Sequence, residues 1–258
     1  MYSRLSQSEI DKLNLSGIIG SKIYYYEKLG STFDKIKALP LSDGLTVVCS
    51  SQTSGCGRLG RTWNSPEGGV YFTFALLPPF NGFDIPFITL VCALGVCNAL
   101  SKHADCLIKW PNDIVSDGKK LCGILTKNMA SDGKIDAVLV GIGINVNNCS
   151  FPKELCHADS LTGITGTKHD ENALLGEVLV EINRIYTCYE PMQILEQYKA
   201  KCVNPGREVT IHYANGSKDV RGVCTSILPD GSMVVSTAQG DINVHSGEVS
   251  VKGIYNKL

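Results

Sequence analysis

Apolar and polar positions fall into three regimes along the chain: short β-type runs, then one long apolar block, then short runs again. IYYYEKLGS (residues 23–31) follows a short polar lead and predicts a strand entering a turn, and FDKIKAL (residues 33–39) predicts a short helix stopped by Pro40. LTVVCSS (residues 45–51) is β-rich and breaks into SGCGRLGRTWNSPEGG, whose five glycines and one proline argue against regular structure. VYFTFALL returns to strand character.

Residues 85–103 carry the pattern of a buried helix, and LIKW, DIVSDGKKLCGILTK and DAVLVGIGINVN follow as strand candidates. Asp117-Gly118 and Asp132-Gly133 sit between β-type runs, which predicts consecutive antiparallel hairpins. Residues 170–198 read as helical, with Pro191 breaking the helix near its end. That order predicts an α+β fold in which a mixed, largely antiparallel sheet is packed with helices. Beyond Pro205 the pattern changes to short strands around Asn215-Gly216, Asp230-Gly231 and Gln239-Gly240, which suits a small C-terminal β-barrel. The expected boundary lies near Cys202, giving units 1–202 and 203–258.

Composition narrows the function classes. With 43% hydrophobic and 19% charged residues the chain is an ordinary globular protein, and a net charge of −1 offers no global attraction for nucleic acid. The longest apolar run, residues 85–100, contains Pro86, Thr89 and Asn98, so no membrane span is expected. The lead MYSRLSQSEIDKLNL lacks the apolar centre of a secretory peptide. The 11 cysteines show no CxxC spacing and read as free thiols of a reducing cytoplasm; Cys92, Cys97 and Cys122 occupy core-like positions.

Four segments carry candidate chemistry. The loop QTSGCGRLGRTW (residues 52–63) follows a strand and spaces Gly55, Gly57 and Gly60 among Arg58 and Arg61. Glycines let backbone amides approach oxyanions, and the two guanidinium forks suit phosphate or carboxylate oxygens. It is neither a Walker-type loop nor a dinucleotide fingerprint. In LIKWPND, Lys109 stands in an apolar strand that Pro111 ends, and an ammonium there needs an anionic partner unless its head reaches water. Asn112 and Asp113 contact a ligand or make the turn. In KKLCGIL and GIGINVN, glycines interrupt apolar strands, the mark of a bulge or of close approach by a ligand or a neighbouring chain segment.

Taken in order, GSTF, QTSGCGRLGRTW, KWPND with KKLCGI, and GIGINVN resemble the catalytic domain of biotin protein ligases, and GREVTIHY with HSGEVSV resembles that family's C-terminal barrel. The resemblance runs from about Leu29 onward and implies a class II synthetase-like catalytic domain. It implies that ATP activates biotin as biotinyl-5'-AMP, and that biotin passes to a lysine of a biotin carboxyl carrier protein.

The same resemblance implies a role for each matching position. Ser31, Thr32 and Gln52 would hydrogen-bond the biotin ureido ring, beside Phe33. Gly55, Cys56 and Gly57 would meet the carboxylate region, and Arg58 and Arg61 would hold phosphate oxygens. Lys109 would touch the carboxylate and the α-phosphate together. Trp63, Asn112, Lys120 and Asn145 would lie toward the nucleotide, while Gly123 and Gly143 leave room for the bicycle. Mg²⁺ would arrive with ATP, without dedicated protein ligands. The chain departs from the family pattern at Cys56, where a basic residue is usual, at Phe33, where asparagine is common, and at Leu59, which lowers the expected hold on the adenylate. About thirty residues precede GSTF, too few for the DNA-binding winged helix of some members. The expectation is therefore a monofunctional enzyme, monomer or homodimer, with no nucleic-acid partner. The alternatives are a lipoate or octanoate ligase or acyltransferase of the same superfamily, and a non-catalytic biotin-binding module.

Overall fold

In the computed structural model, which describes residues 4–13, 15–80, 83–188, 190–213, 217–246, 249–252 and 255, the lead is not structureless. It holds a helical turn, α1 (Gln7–Ile10), capped by the Ser6 hydroxyl, which accepts from the Glu9 amide. One turn is too short for apolar periodicity to register. Strand β1 (Lys22–Leu29) pairs in parallel with β2 (Leu45–Gln52), and α2 (Thr32–Lys37) makes the crossover between them.

The glycine-arginine loop leads from β2 to β3 (Gly69–Leu76), which pairs antiparallel with β2 and is buried along its whole length, as a central strand covered on both faces must be. Helix α3 (Ile85–Leu100) buries 13 of its 16 residues, matching a sequence with no polar stripe. Then come β4 (Leu107–Lys109), β5 (Asp113–Ser116), β6 (Lys119–Ser131) and β7 (Lys134–Asn145). Both predicted hairpin turns form: Asp117 and Gly118 have φ of 47° and 66°, Asp132 and Gly133 have 48° and 76°. Positive φ at both central residues is the type I′ signature that matches strand twist. The seven strands assemble in the order β1-β2-β3-β7-β6-β5-β4, mixed and largely antiparallel as predicted.

Helix α4 (Leu161–Thr165), another single turn that the pattern did not show, precedes α5 (Glu171–Cys188) and α6 (Pro191–Lys201). The expected break at Pro191 is present: α5 ends at Cys188, and Pro191 opens α6, because in the first turn its missing N–H costs no hydrogen bond. Helices α3 and α5 pack together over one face of the sheet; a Cβ on Gly95 would lie 2.7 Å from the Ile182 side chain, so the two helices meet there with no room to spare. On the opposite face α2 and the sheet share a smaller cluster of Phe33, Ile36, Leu45, Val47, Ala75 and Leu139.

Strands β8 (Glu208–Tyr213), β9 (Val220–Ile227), β10 (Met233–Thr237), β11 (Gly240–Val244) and β12 (Val249–Lys252) form a second, small antiparallel sheet in the order β11-β10-β9-β8-β12, which fits the predicted barrel. The Asn215-Gly216 turn lies outside the described residues. This sheet is joined to the first by Trp110, whose amide donates to Asn204 Oδ1 at 2.7 Å and whose indole N–H donates to the Gly231 carbonyl at 2.9 Å. No described helix is long and apolar enough to cross a membrane.

Candidate active site

Strand register builds the floor of the site. Lys109 is paired across from Asp113, Asp113 from Gly123, Gly123 from Gly143, and Gly143 from Tyr71. Directly paired residues project to the same face of a sheet, so one row carries an ammonium, a carboxylate and then two positions without side chains. The glycines open a trough beside the charged pair. Above it is a cavity of about 520 Å³ lined by residues of both ends of the row and by the glycine-arginine loop.

At the charged end Lys109 and Asp113 are only 6% and 7% exposed. Asp113 Oδ1 lies 2.6 Å from Lys120 Nζ, and Oδ2 lies 3.6 Å from Lys109 Nζ and accepts from the Tyr255 hydroxyl. Burial by itself would raise the Asp113 pKa, but the Lys120 and Lys109 ammoniums and the hydrogen bonds from Lys120 and Tyr255 hold the carboxyl well below the usual range. Burial lowers Lys109 from its ordinary value, Asp113 opposes that, and Lys120 and Arg58 add to it. Arg58 is lowered chiefly by burial as well. Arg58 donates to Asn112 Oδ1 at 2.8 Å and to the Ser246 carbonyl, while Asn112 Nδ2 donates to the Ile124 carbonyl at 2.7 Å. Three cations thus surround one acid, an arrangement that favours an incoming anion.

The loop carrying Arg58 is more regular than its glycine content implied. Gln52 and Ser65 form a bridge, Cys56 and Thr62 another, and Trp63 N donates to the Gly55 carbonyl at 2.8 Å. Residues Arg58–Gly60 make a 3-10 turn that reverses the chain with Leu59 at φ 53° and Gly60 at φ 72°. Glycine takes that conformation freely, whereas Leu59 holds it at a cost of roughly 1–2 kcal/mol.

At the other end the polar groups are neutral and already interlocked. Gln52 Oε1 accepts from Thr32 N at 2.9 Å and Thr32 Oγ1 at 3.2 Å, while Gln52 Nε2 donates to Ser65 Oγ at 2.9 Å. Thr32 Oγ1 also lies 2.7 Å from Thr73 Oγ1. The amide is thereby held in one orientation, offering a fixed donor and acceptor pattern.

Thr32, Phe33, Gln52, Cys56, Gly57, Arg58, Arg61, Trp63, Lys109, Asn112, Lys120, Gly123, Gly143 and Asn145 all line the cavity. Ser31 and Gly55 lie behind the lining. The Ser31 hydroxyl caps α2 by accepting from Phe33 N at 3.2 Å, and Gly55 packs against Trp63, whose carbonyl oxygen would lie 2.5 Å from an added Cβ. The space over Gly123 and Gly143 is taken by the Trp63 indole: a Cβ on Gly143 would lie 2.3 Å from its Nε1, and one on Gly123 2.8 Å from its Cζ3. That Nε1 is buried without a hydrogen-bond partner. Asn145 Nδ2 donates to the Asp159 carbonyl at 3.1 Å.

Asp113, His157 and Tyr255 also line the cavity; from sequence Asp113 reads as a turn residue or ligand contact, and neither His157 nor Tyr255 stands out. A three-residue turn around Pro111 makes Lys109 and Asp113 cross-strand neighbours, a signal legible in KWPND. The other two come from distant chain segments and carry no local mark.

An α+β frame with a cationic end, a glycine trough and a neutral polar pocket in one cavity defines a class of protein that holds a phosphate-bearing ligand beside a smaller polar one. Residues 26–145 match the biotin/lipoate A/B protein ligase family, and the chain belongs to that family. It is 31% identical over 262 residues to the bifunctional ligase/repressor BirA of Bacillus subtilis, covering 96% of this chain and 79% of the relative. It is 36% identical over 118 residues to the biotin–[acetyl-CoA-carboxylase] ligase of Paracoccus denitrificans, covering 43% of this chain and 49% of that one. Among solved structures, the biotin protein ligase from Aquifex aeolicus in complex with biotin and ATP superposes with a TM-score of 0.79 at 32% identity, over 90% of this chain and 99% of that one.

Proposed function

We propose that this chain is a biotin protein ligase, which activates biotin with ATP to biotinyl-5'-AMP and pyrophosphate and then transfers biotin to a lysine of a biotin carboxyl carrier protein. The observation that carries the reading is the register row Lys109-Asp113-Gly123-Gly143, which sets a buried cation cluster at one end of a trough whose other end is the Gln52-Thr32 pocket.

In this reading the biotin carboxylate attacks the α-phosphorus of ATP and pyrophosphate leaves; the neutral amine of the carrier lysine then attacks the acyl carbon and AMP leaves. Both substrates of the first step are anions, so the barrier contains their repulsion, and Lys109, Arg58 and Arg61 oppose it from fixed positions. Gln52 and Thr32, with Ser31 behind them and Phe33 beside them, receive the ureido ring. Gly55, Cys56 and Gly57 bring the loop close to the carboxylate, and Gly123 and Gly143 accommodate the bicycle once the Trp63 indole turns toward the adenine, near Asn112, Lys120 and Asn145. Mg²⁺ on the triphosphate would supply further charge neutralisation; the nearest buried carboxylate, Asp113, is already held by Lys109, Lys120 and Tyr255. We further propose a division at residues 202/203 into catalytic domain and barrel, and a cytoplasmic location, in keeping with 11 free thiols.

Exchange of labelled pyrophosphate into ATP tests the reading. Biotin should support exchange, and an apo carrier should then acquire biotin. Exchange with lipoate or octanoate but not with biotin would replace the acid; absence of exchange with every one of these acids would leave a binding protein.

A further inference from the structure

Two groups from the C-terminal region engage the cations at one end of the cavity, and one of them, Tyr255, lines it. The Tyr255 hydroxyl donates to Asp113 Oδ2, its ring lies 4.7 Å from Lys109 Nζ, and it packs at 4.9 Å from the His157 ring. The Ser246 carbonyl accepts from Arg58. An aromatic face and a carbonyl oxygen are the electron-rich groups a neutral peptide can set against ammonium and guanidinium ions. They meet Lys109 and Arg58, two of the cations assigned above to phosphate oxygens.

We infer that the C-terminal segment competes with the nucleotide: Tyr255 occupies the phosphate-binding end of the cavity, the Ser246 carbonyl engages Arg58 of its lining, and ATP binds at the expense of these contacts. The inference rests on the nucleotide reading of that end of the cavity. Three features fit a segment that can withdraw. Tyr255 lies three residues past β12, which among the described residues is an edge strand paired only with β8, so its release does not unzip the rest of the second sheet. Arg58 sits beside Leu59, held at φ 53°, so the loop is in a conformation that its sequence does not favour. The carboxylate that Tyr255 leaves behind keeps both of its lysines, so withdrawal strands no buried charge.

Calorimetric titration of the full chain with ATP and Mg²⁺ tests this. Removing a competitor raises the fraction of binding-competent protein, so Tyr255→Ala should lower the Kd for ATP by about fivefold to tenfold, with Tyr255→Phe, which keeps the ring, falling between it and wild type. The KM for biotin in pyrophosphate exchange should stay constant in both. An unchanged Kd makes Tyr255 a bystander, and a raised Kd makes it a nucleotide contact; either overturns the inference. Tighter ATP binding in Tyr255→Ala without biotin-dependent exchange in wild type would reject the ligase reading and leave the competition standing.

Discussion

Lys109 and Asp113 face each other directly across the turn that joins β4 to β5, ammonium and carboxylate 3.6 Å apart, with the second lysine, Lys120, 2.6 Å from the same acid. A pair so buried is costly to assemble and more costly to break, because removing one member leaves the others desolvated without compensation.

Asp113→Asn keeps the shape and removes the charge, leaving the buried Lys109 and half-buried Lys120 ammoniums near one another. Unfolding in urea should show a loss of about 3–5 kcal/mol at neutral pH. The folded Asp113 carboxyl is depressed below its unfolded value of about 4, so its contribution is complete above that pH and is lost as pH falls toward the folded value. The stability gap between wild type and variant should therefore narrow as the solution is acidified below about pH 4. A gap that stays constant from neutral pH into acid would mean that the carboxylate does not hold the cluster.

Two glycines of β7 separate packing from ligand access. A Cβ on Gly141 would lie 2.2 Å from Cε2 of Phe33, which is 4% exposed and packed in the α2 cluster, so Gly141→Ala should destabilise by about 1–3 kcal/mol. A Cβ on Gly143 would meet the indole of Trp63, a half-buried residue of the loop, which can swing away. Gly143→Ala should leave the Tm within a few degrees of wild type while raising the KM for biotin. Thermal melts and exchange kinetics on the two variants decide the matter; a large Tm loss in Gly143→Ala would mean that the indole is fixed in the trough.

What was legible in the sequence follows from range. The Asp117-Gly118 and Asp132-Gly133 turns declare themselves because their φ requirement is local, and they fix the β5-β6-β7 hairpins on which the trough depends. Arg58, Lys109, Gly123 and Gly143 stand out because each is an odd residue for its surroundings: cations or glycines where strands and loops would otherwise place packing residues. Helices α1 and α4 are single turns with almost no period to detect, whereas the break before α6 is marked by Pro191, which starts that helix. Tyr255 is 142 residues from the acid it contacts, and no local pattern encodes that meeting.

Lys109 and Arg58 differ in what their loss would do, because one is set in the sheet and the other on a loop. Lys109 is anchored by strand pairing and buried beside Asp113, so it meets the reacting groups without reorganisation; Lys109→Ala should lower adenylate formation by about a hundredfold or more. Arg58 ties the loop to Asn112 on the sheet, so it acts as a clasp over the cavity as well as a charge. Arg58→Gly removes that clasp and adds backbone freedom next to Gly57 and Gly60. Adenylate should still form, but it should escape faster than in wild type. Single-turnover formation of labelled biotinyl-AMP, followed by its release from the protein on a desalting column, separates the two effects. Equal formation rates and equal retention in both variants would remove the distinction between a lysine that neutralises charge and an arginine that closes the loop.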